Sequence, residues 1–375
     1  MNPSPCSPAP SFLIVCLRLI GDVLLSTSLA LSIKKHRPEA TVDYAVYDGT
    51  QGVLARNRDV RQVHTVRNGI SGVRTFARLW RRYDYAIGVN ASDRTAFLTA
   101  GSAHCSIGFV TRSRKDWWKP YLLTYARHYD RGLHTVPAML SQLEPLEIPP
   151  IPRVIAAFDA EDRAFADQRL GPDDFVLLHP YTRRPYKCWP PAAWAKLAVL
   201  IRTETGLRAV FSRGAGAADE AQLDEIRRAV GGALDCFAES FTFAQLAAAI
   251  HKSRGFVGVD TAVTHMAAAL ATPVVALYGP SSALRWGPWP NGCSIPRPYG
   301  PSGGVQRQVG ITVLQPDWPC VPCDRETCAI SKRGRIECME TLDPAVVLQE
   351  LQRLVASGRP RVEPPNACLV AAHGQ

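Results

Sequence analysis

The feature that most constrains the fold is an alternation of short apolar runs with helical segments, repeated in two series along the chain. The first run, FLIVCL at 12–17, has the length of a buried strand and precedes a turn at 18–22 and a helical pattern over 23–35. Further strand-length runs lie at 42–46, 62–66 and 85–89, with polar or helical pieces between them such as 73–82. Strands that alternate with helices predict a parallel sheet covered by helices.

A second series of the same kind follows a proline-rich stretch at 144–161, which we predict to link two domains. Its predicted strands lie at 175–179, 208–212, 255–259 and 273–278, and its predicted helices at 191–203, 219–230, 243–251 and 263–270. A chain of 375 residues is long for one hydrophobic core and sufficient for two. The pattern therefore predicts an α/β protein with a loose tail at 1–11, domains at 12–155 and 156–343, a last helix at 344–357 and a disordered tail at 358–375.

Composition restricts the location and the partners. The apolar stretch 12–33 is interrupted by Arg18, Gly21 and Asp22 and follows no basic segment, so we expect neither a signal peptide nor a membrane span. A cytoplasmic location follows from this expectation. The net charge of +10 favours anionic partners such as nucleic acid, a phosphorylated glycolipid or an acidic membrane face. Charge alone therefore leaves a basic polyanion-binding protein open as one alternative.

Asp22 is the first candidate for chemistry, because it lies in the predicted loop between the first strand and its helix. In an open parallel sheet, ligands bind at the carboxyl ends of strands, beside helix N-termini. Asp22 could act there as a general base. The alternative is a helix N-cap, since an aspartate before an apolar helix accepts hydrogen bonds from free backbone amides.

The second candidate is the polar loop HPYTRRPYKCWPPAAW at 179–194, which follows the first strand of the second series. Tyr181 and Thr182 supply hydroxyl groups and Lys187 supplies a mobile positive charge, as a phosphate-binding loop requires. The alternative is an exposed basic loop. The two prolines at 190–191 predict the start of a helix.

The third candidate, VGVDTAVTHMAAAL at 257–270, is the most specific of the three. A buried strand is predicted to end before Asp260, and a helix of small residues follows it. Thr261 and nearby backbone amides would then face a pyrophosphate with help from the helix dipole. His265 lies one turn further on, close to the same face, although a single histidine there is more often a structural residue.

Together and in this order, the motifs resemble glycosyltransferase family nine, the lipopolysaccharide heptosyltransferases, from about residue 12 to residue 354. The family's strand-and-loop opening is matched by LIGDVLL at 19–25, its Lys-x-Trp-Pro loop by KCWP at 187–190, and its Asp-Ser/Thr-Gly-x-x-His signature by DTAVTH at 260–265. A Gly-Pro turn follows at 279–280. Segments 44–47, 56–58 and 286–289 look closest to the branch that adds the third core heptose. Ala262 departs from the glycine of many members.

The resemblance implies the GT-B fold, in which two Rossmann-like domains with parallel sheets face each other across a cleft. The N-terminal domain would bind the acceptor and the C-terminal domain the nucleotide sugar. Asp22 would take the proton of the acceptor hydroxyl in an inverting, metal-independent transfer of heptose from ADP-heptose to the inner core of lipopolysaccharide. The implied donor-binding residues are Tyr181, Thr182, Lys187, Glu220, Asp260, Thr261, Ala262 and His265.

The implied acceptor is phosphorylated, so the candidate acceptor-binding residues are Arg56, Arg58, Arg61, Arg94, Arg112, Arg114 and Lys115. Trp117 and Trp118 would lie against lipid or sugar. We expect no cofactor, no bound metal and no nucleic acid partner, and a peripheral position on the cytoplasmic face of the inner membrane. A family-nine transferase that uses another nucleotide sugar remains a further alternative.

The spacing of Cys320, Cys323 and Cys328, followed by Cys338, partly resembles a zinc ribbon. A structural zinc site, unpaired thiols and a disulfide are three alternatives for this cluster, and a cytoplasmic location favours reduced thiols.

Overall fold

A computed structural model describes residues 9–331 and 336–359, and these residues form two six-stranded sheets. The strands of the first sheet are β1 (Ser11–Cys16), β2 (Thr41–Tyr47), β3 (Gln62–Val66), β4 (Tyr83–Gly88), β5 (Ala103–Val110) and β6 (Tyr125–His128). Its helices are α1 (Ile20–Leu25), α2 (Thr27–His36), α3 (Ile70–Leu79), α4 (Asp93–Ser102), α5 (Lys119–Leu122) and α6 (Thr135–Leu140). The alternation of elements predicted from the sequence is confirmed.

All strands of the first sheet are parallel, in the order β3-β2-β1-β4-β5-β6. This is the order of the Rossmann fold, in which the chain reverses direction across the sheet between β1 and β4. The first strand is buried along nearly its whole length because both faces of the sheet are covered. A crevice at the carboxyl ends of β1 and β4 is therefore the expected ligand position in this half.

The second sheet has the order β11-β12-β10-β9-β7-β8, and only its edge strand β11 is antiparallel to its neighbour. Its strands are β7 (Phe175–His179), β8 (Arg208–Phe211), β9 (Gly255–Val259), β10 (Val274–Leu277), β11 (Gly304–Gln308) and β12 (Ile311–Gln315). The helices that accompany it are α7 (Ala160–Leu170), α8 (Pro191–Thr205), α9 (Ala217–Val230), α10 (Phe243–Lys252), α11 (Ala262–Ala269), α12 (Ala283–Trp286), α13 (Glu337–Glu340) and α14 (Pro344–Ser357). Here the direction of the chain reverses between β7 and β9.

The helix predicted over 23–35 is wrong in its start and in its continuity. Helix α1 begins at Ile20, and the chain breaks at Ser26 before α2 begins. The hydroxyls of Ser26, Thr27 and Ser28 each donate to the carbonyl three residues earlier, at 2.8, 2.7 and 2.9 Å, and so compete with the helical hydrogen bonds. The Tyr44 hydroxyl donates to the Ser26 carbonyl at 2.9 Å and stabilises the break.

The two halves share an apolar contact in addition to the segment that connects them. One hydrophobic cluster contains Ile14 and Val23 from the first half and Phe256 and Val263 from the second. The predicted linker runs back along α2, where the hydroxyl of Thr27 accepts a hydrogen bond from the backbone amide of residue 155 at 2.9 Å. The predicted domain boundary at residue 155 stays a prediction.

The tails predicted at 1–11 and 358–375 lie mostly outside the described residues, and their inner ends are corrected. Ser11 already belongs to β1, because its amide and hydroxyl both donate to the Asp84 carboxylate, at 2.8 and 2.7 Å. Arg359 is also placed, since its guanidinium donates to the Ser253 carbonyl at 2.7 Å. No helix in the described ranges combines the length and the apolar character needed to cross a bilayer.

Candidate active site

The two polar loops of the second half meet where the strand order reverses. The Pro185–Lys187 turn follows β7, and Asp260 follows β9, the strand next to β7. The Lys187 Nζ lies 2.5 Å from Oδ2 of Asp260, and the Asp260 side chain is almost fully buried. A lysine held at this edge, in front of a helix N-terminus, carries the charge that a diphosphate needs.

The N-terminus of α11 presents polar atoms that lack partners. The Oγ1 of Thr261 and the Nδ1 of His265 are buried and have no hydrogen-bond partner among the residues that the structure describes. Burial lowers the pKa of His265 to about 4, with a further lowering from Lys187 that Asp260 opposes, so the imidazole is neutral at pH 7. Unsatisfied buried polar atoms are costly, and a bound ligand would compensate for them.

Asp22 lies on α1 itself, three residues after the helix N-cap Leu19, so the predicted loop position is wrong and Asp22 is not the N-cap. Its carboxylate does accept hydrogen bonds from the backbone amides of Leu19 and Asp22, as the alternative expected of an aspartate at a helix start. Its Oδ1 lies 3.1 Å from Nε of Arg18, one turn earlier. Burial raises the pKa of the Asp22 carboxyl, and the Arg18 guanidinium opposes that rise. The result is a buried carboxylate with a single cation beside it, which has the character of a general base.

Helix α1 brings Asp22 to the second half, because its neighbour Gly21 packs against α11. A methyl group at Gly21 would lie 3.6 Å from Cδ2 of His265 and 3.8 Å from Cα of Ala262. The candidate base and the candidate donor site are therefore on two helices in direct contact. The Ala262 methyl faces Gly21 at 3.9 Å from that position, so the extra carbon of this residue is directed at α1.

Further contacts join the halves beside α1. The Arg18 guanidinium lies over the Trp286 ring at 5.8 Å. The Nε2 of His134 donates to the Gly287 carbonyl at 2.8 Å, while its Nδ1 accepts from the Val136 amide at 3.1 Å. This pattern requires a neutral imidazole, and burial lowers the pKa of His134 to about 3. Arg18 and His134 were not predicted as site residues. The spacing of four residues between Arg18 and Asp22 is a signal that could have revealed the first of them.

Three predicted donor-binding side chains already have partners within the second half. The Tyr181 hydroxyl donates to the Ser212 carbonyl at 2.9 Å, and the Thr182 hydroxyl accepts from the Arg184 amide at 3.2 Å. Glu220 accepts two hydrogen bonds from Arg213, both at 2.9 Å. Their predicted contact with the donor remains a prediction.

The predicted acceptor-binding cations fall into three groups. Arg56 donates to Asp162 at 3.0 Å, and Arg61 donates to Asp43 at 2.9 and 2.6 Å, so both arginines are held by carboxylates. Arg94 donates to Asn68 at 2.6 Å. The remaining members are exposed and have no ion-pair partner within the described ranges: Arg58, Arg112, Arg114 and Lys115.

The four clustered cysteines, Cys320, Cys323, Cys328 and Cys338, line one cavity of about 310 Å³. All four are free thiols, and burial together with the other three raises the pKa of Cys338 to about 11. No group of side chains with metal-binding geometry occurs in residues 9–331 and 336–359.

Comparisons with known proteins agree with this architecture. The sequence profile of glycosyltransferase family 9 (heptosyltransferase) matches residues 73–297. Lipopolysaccharide heptosyltransferase 3 of Escherichia coli is 28% identical over 293 residues, which cover 73% of this chain and 83% of that protein. The structure of a family 9 glycosyltransferase from Veillonella parvula has a TM-score of 0.73 at 19% identity and covers 94% of this chain and 100% of its own. The structure of the E. coli ADP-heptose lipopolysaccharide heptosyltransferase II has a TM-score of 0.69 at 20% identity, with 92% and 99% covered.

Two Rossmann-type sheets, joined through α1 and α11 and matched by solved heptosyltransferase structures, define a protein of the GT-B fold. The family profile matches more than half of the chain, so the protein belongs to glycosyltransferase family 9, the heptosyltransferases. The predicted family and fold class are confirmed, and the similarity to heptosyltransferase 3 supports the predicted branch. The matched range begins after Asp22, whose role stays a prediction.

Proposed function

We propose that this enzyme transfers heptose from ADP-heptose to the inner core of lipopolysaccharide at the cytoplasmic face of the inner membrane. The observation that carries the proposal is the contact between α1 and α11, which brings the Asp22 helix against the helix that follows Asp260. The names of the relatives supply the donor and the acceptor class.

The donor diphosphate would bind between Lys187 and the N-terminus of α11. Lys187 would exchange its contact with Asp260 for a phosphate oxygen, since a lysine ammonium has three donors that can be rearranged. Thr261 and His265 each have a buried polar atom without a partner, and the donor would supply these partners. The first amides of α11 would complete the phosphate contacts.

Asp22 would act as the general base in a single displacement. The acceptor O–H proton passes to the Asp22 carboxylate while the acceptor oxygen bonds to the anomeric carbon, and the bond from that carbon to the diphosphate oxygen breaks. The electron pair of the broken bond leaves with ADP, and the anomeric centre is inverted. Lys187 and the α11 dipole would offset the charge that develops on the leaving group, so that no metal ion is required.

The phosphorylated acceptor would be held by the cations that remain free in the first half. Arg58, Arg112, Arg114 and Lys115 are the first choice because they are exposed and have no ion-pair partner within the described residues. Arg56 and Arg61 would have to leave carboxylate partners before binding an acceptor phosphate. They are weaker candidates for this reason.

The test is turnover of ADP-heptose with a truncated core acceptor, followed by the mass of the product. We expect Asp22→Asn to lower kcat by about 10²- to 10⁴-fold, the usual contribution of a general base, with ADP affinity unchanged. Asp173→Asn is the matched control, since Asp173 is exposed and precedes β7 at the opposite edge of the sheet.

Equal turnover by the Asp22→Asn enzyme and the parent would contradict the assignment of the base. Turnover with another nucleotide sugar and none with ADP-heptose would contradict the proposed donor.

A further inference from the structure

The exposed apolar side chains of this protein are concentrated on one part of the first half. Among the described residues, eight of the fifteen exposed large hydrophobic side chains lie between residues 70 and 125. We define the α3–α5 surface as six of these eight side chains: Ile70, Val73, Trp80, Phe97, Trp117 and Tyr121. Trp117 and Tyr121 are 71% and 86% exposed. Soluble proteins rarely expose contiguous apolar patches of this kind without a binding role.

Ring contacts and helix packing make the α3–α5 surface continuous. Trp117 and Tyr121 are in edge contact, with ring centroids 6.5 Å apart, and Phe97 on α4 stacks on Trp118 at 4.8 Å. Gly101 on α4 lies directly beneath the Trp80 ring, because a methyl group there would be 2.9 Å from that ring. The apolar side chains of α3, α4 and α5 therefore adjoin one another.

Positive charge surrounds these side chains. Between residues 67 and 125 the sequence has ten lysines and arginines and three acids. Asp93 and Asp116 are ion-paired with the buried Lys119, at 2.9 and 2.6 Å, and the third acid, Asp84, accepts hydrogen bonds from Ser11. Arg112, Arg114 and Lys115 are consequently not offset by nearby carboxylates.

We propose that the α3–α5 surface docks on an anionic lipid bilayer. Tryptophan and tyrosine prefer the interface between lipid and water, and each basic residue near an anionic membrane adds attraction. A second copy of the chain is a poor occupant, because a symmetric contact would place this basic surface against itself. The proposal deepens the proposed function in one respect only, since a lipid-anchored acceptor would be presented beside this surface.

The topology places the α3–α5 surface beside the candidate base. The Arg114–Asp116 turn follows the carboxyl end of β5, at the same edge of the sheet as α1, which follows β1. β5 is two strands away from β1, which corresponds to about 10 Å. A bilayer bound at Trp117 would therefore lie close to the acceptor side of Asp22.

The experiment is co-sedimentation of the full chain with vesicles of phosphatidylglycerol and phosphatidylcholine, compared with vesicles of phosphatidylcholine alone. We expect binding to the anionic vesicles at low salt, a large decrease at 0.5 M NaCl, and at least a tenfold loss of affinity in Trp117→Ala/Tyr121→Ala. The control Val199→Ala/Val346→Ala, which truncates exposed apolar side chains of the second half, should bind like the parent. Unchanged melting temperatures would show that both variants fold.

Several results would overturn the proposal: no binding to anionic vesicles, equal binding to neutral vesicles, or full binding by the Trp117/Tyr121 variant. A parent dimer that this variant converts to a monomer would instead assign the surface to a second copy. Turnover of a water-soluble acceptor separates the two proposals. Ile70→Ala/Val73→Ala truncates two exposed members of the α3–α5 surface that are not candidate site residues, so it should weaken vesicle binding and retain this turnover. Failure of vesicle binding would leave the proposed transfer intact, whereas failure of turnover would leave the membrane surface intact.

Discussion

The pairing of Arg18 with Asp22 predicts a specific change in the pH dependence of the reaction. The Asp22 side chain is almost fully buried, and burial raises the pKa of its carboxyl. The Arg18 guanidinium, whose Nε lies 3.1 Å from Oδ1 of Asp22, counteracts this rise. If Asp22 is the base, its carboxylate must be ionised, so activity falls as the pH falls through its pKa. Arg18→Gln removes the counteracting charge, and the acid limb of kcat/KM should then move to higher pH.

The size of this shift follows from the geometry of the pair. Two unit charges at this distance attract by about 1 kcal/mol in water and about 5 kcal/mol at an effective dielectric of 20. The Arg18 side chain is 45% exposed, so solvent screening brings the value towards the lower limit. We take about 1.4 to 2 kcal/mol, which corresponds to about 1 to 1.5 pH units.

The assay is kcat/KM from pH 4 to pH 9 for the parent, Arg18→Gln and Arg18→Lys, with ADP release as the readout. Arg18→Lys retains the positive charge and should shift the acid limb by less than half as much. Because Arg18 also lies over Trp286, the absolute rate can change for other reasons, and the position of the limb is the decisive quantity. An acid limb in Arg18→Gln that coincides with that of the parent would refute the reasoning.

Three further perturbations test the site and its surroundings. Gly21→Ala should retain activity because its methyl would be in ordinary contact with Ala262, whereas Gly21→Leu should separate α1 from α11 and lower kcat/KM at least tenfold, as steady-state kinetics would detect. Lys187→Met should weaken ADP binding by about 10- to 100-fold in calorimetry, since a charge-assisted hydrogen bond contributes about 1.5 to 3 kcal/mol. Arg61→Gln should lower the free energy of unfolding by about 2 kcal/mol in urea, because the buried Asp43 loses two donors, and should leave the acceptor KM within twofold.

The strands that could be predicted from the sequence are apolar runs, because an apolar side chain can be buried without a hydrogen-bond partner from elsewhere in the chain. β1, β7 and β9 are short apolar runs, and each was located within a residue or two. β5 was missed because Ser106 interrupts it, and the reason that this serine can be buried is its hydrogen bond from the Thr124 amide at 3.0 Å. A partner eighteen residues away leaves no local pattern in the sequence.

β12 was missed for another reason. Its run ITVLQ has strand composition, but it lies in a region rich in glycine and proline, for which we predict no strand from the sequence. The two-residue connection at 309–310 places Gly310 at φ 72°, which makes the turn between β11 and β12. The glycines that concealed the strand are thus part of the hairpin that forms it.

In the candidate site, the sequence also could not predict which charged side chains pair with one another. Lys187 and Asp260 were both predicted, because each follows a recognisable strand, but their contact depends on β7 and β9 being neighbours. Arg61 looked like a free cation because its partner, Asp43, lies within the buried strand β2, where a charge is not expected. Sequence patterns locate charged residues along the chain, whereas their availability depends on which strands pair.

The site contains two ion pairs that would respond differently to substrate. Lys187 and Asp260 compensate each other, so a diphosphate that takes Lys187 must leave Asp260 with another donor. Tyr278, at the end of the adjacent strand β10, would supply its hydroxyl by leaving the Trp286 carbonyl, to which it donates at 2.7 Å. Arg18 and Asp22 remain together, because the base needs a charge that keeps it ionised until the acceptor proton arrives. An exchangeable pair in front of α11 and a permanent pair at the start of α1 would let donor binding precede proton transfer without moving the base. Asp260→Asn should therefore weaken the binding of ADP less than Lys187→Met does, and it should leave the acid limb of the kcat/KM pH profile in place. A shift of that limb would contradict this division of roles.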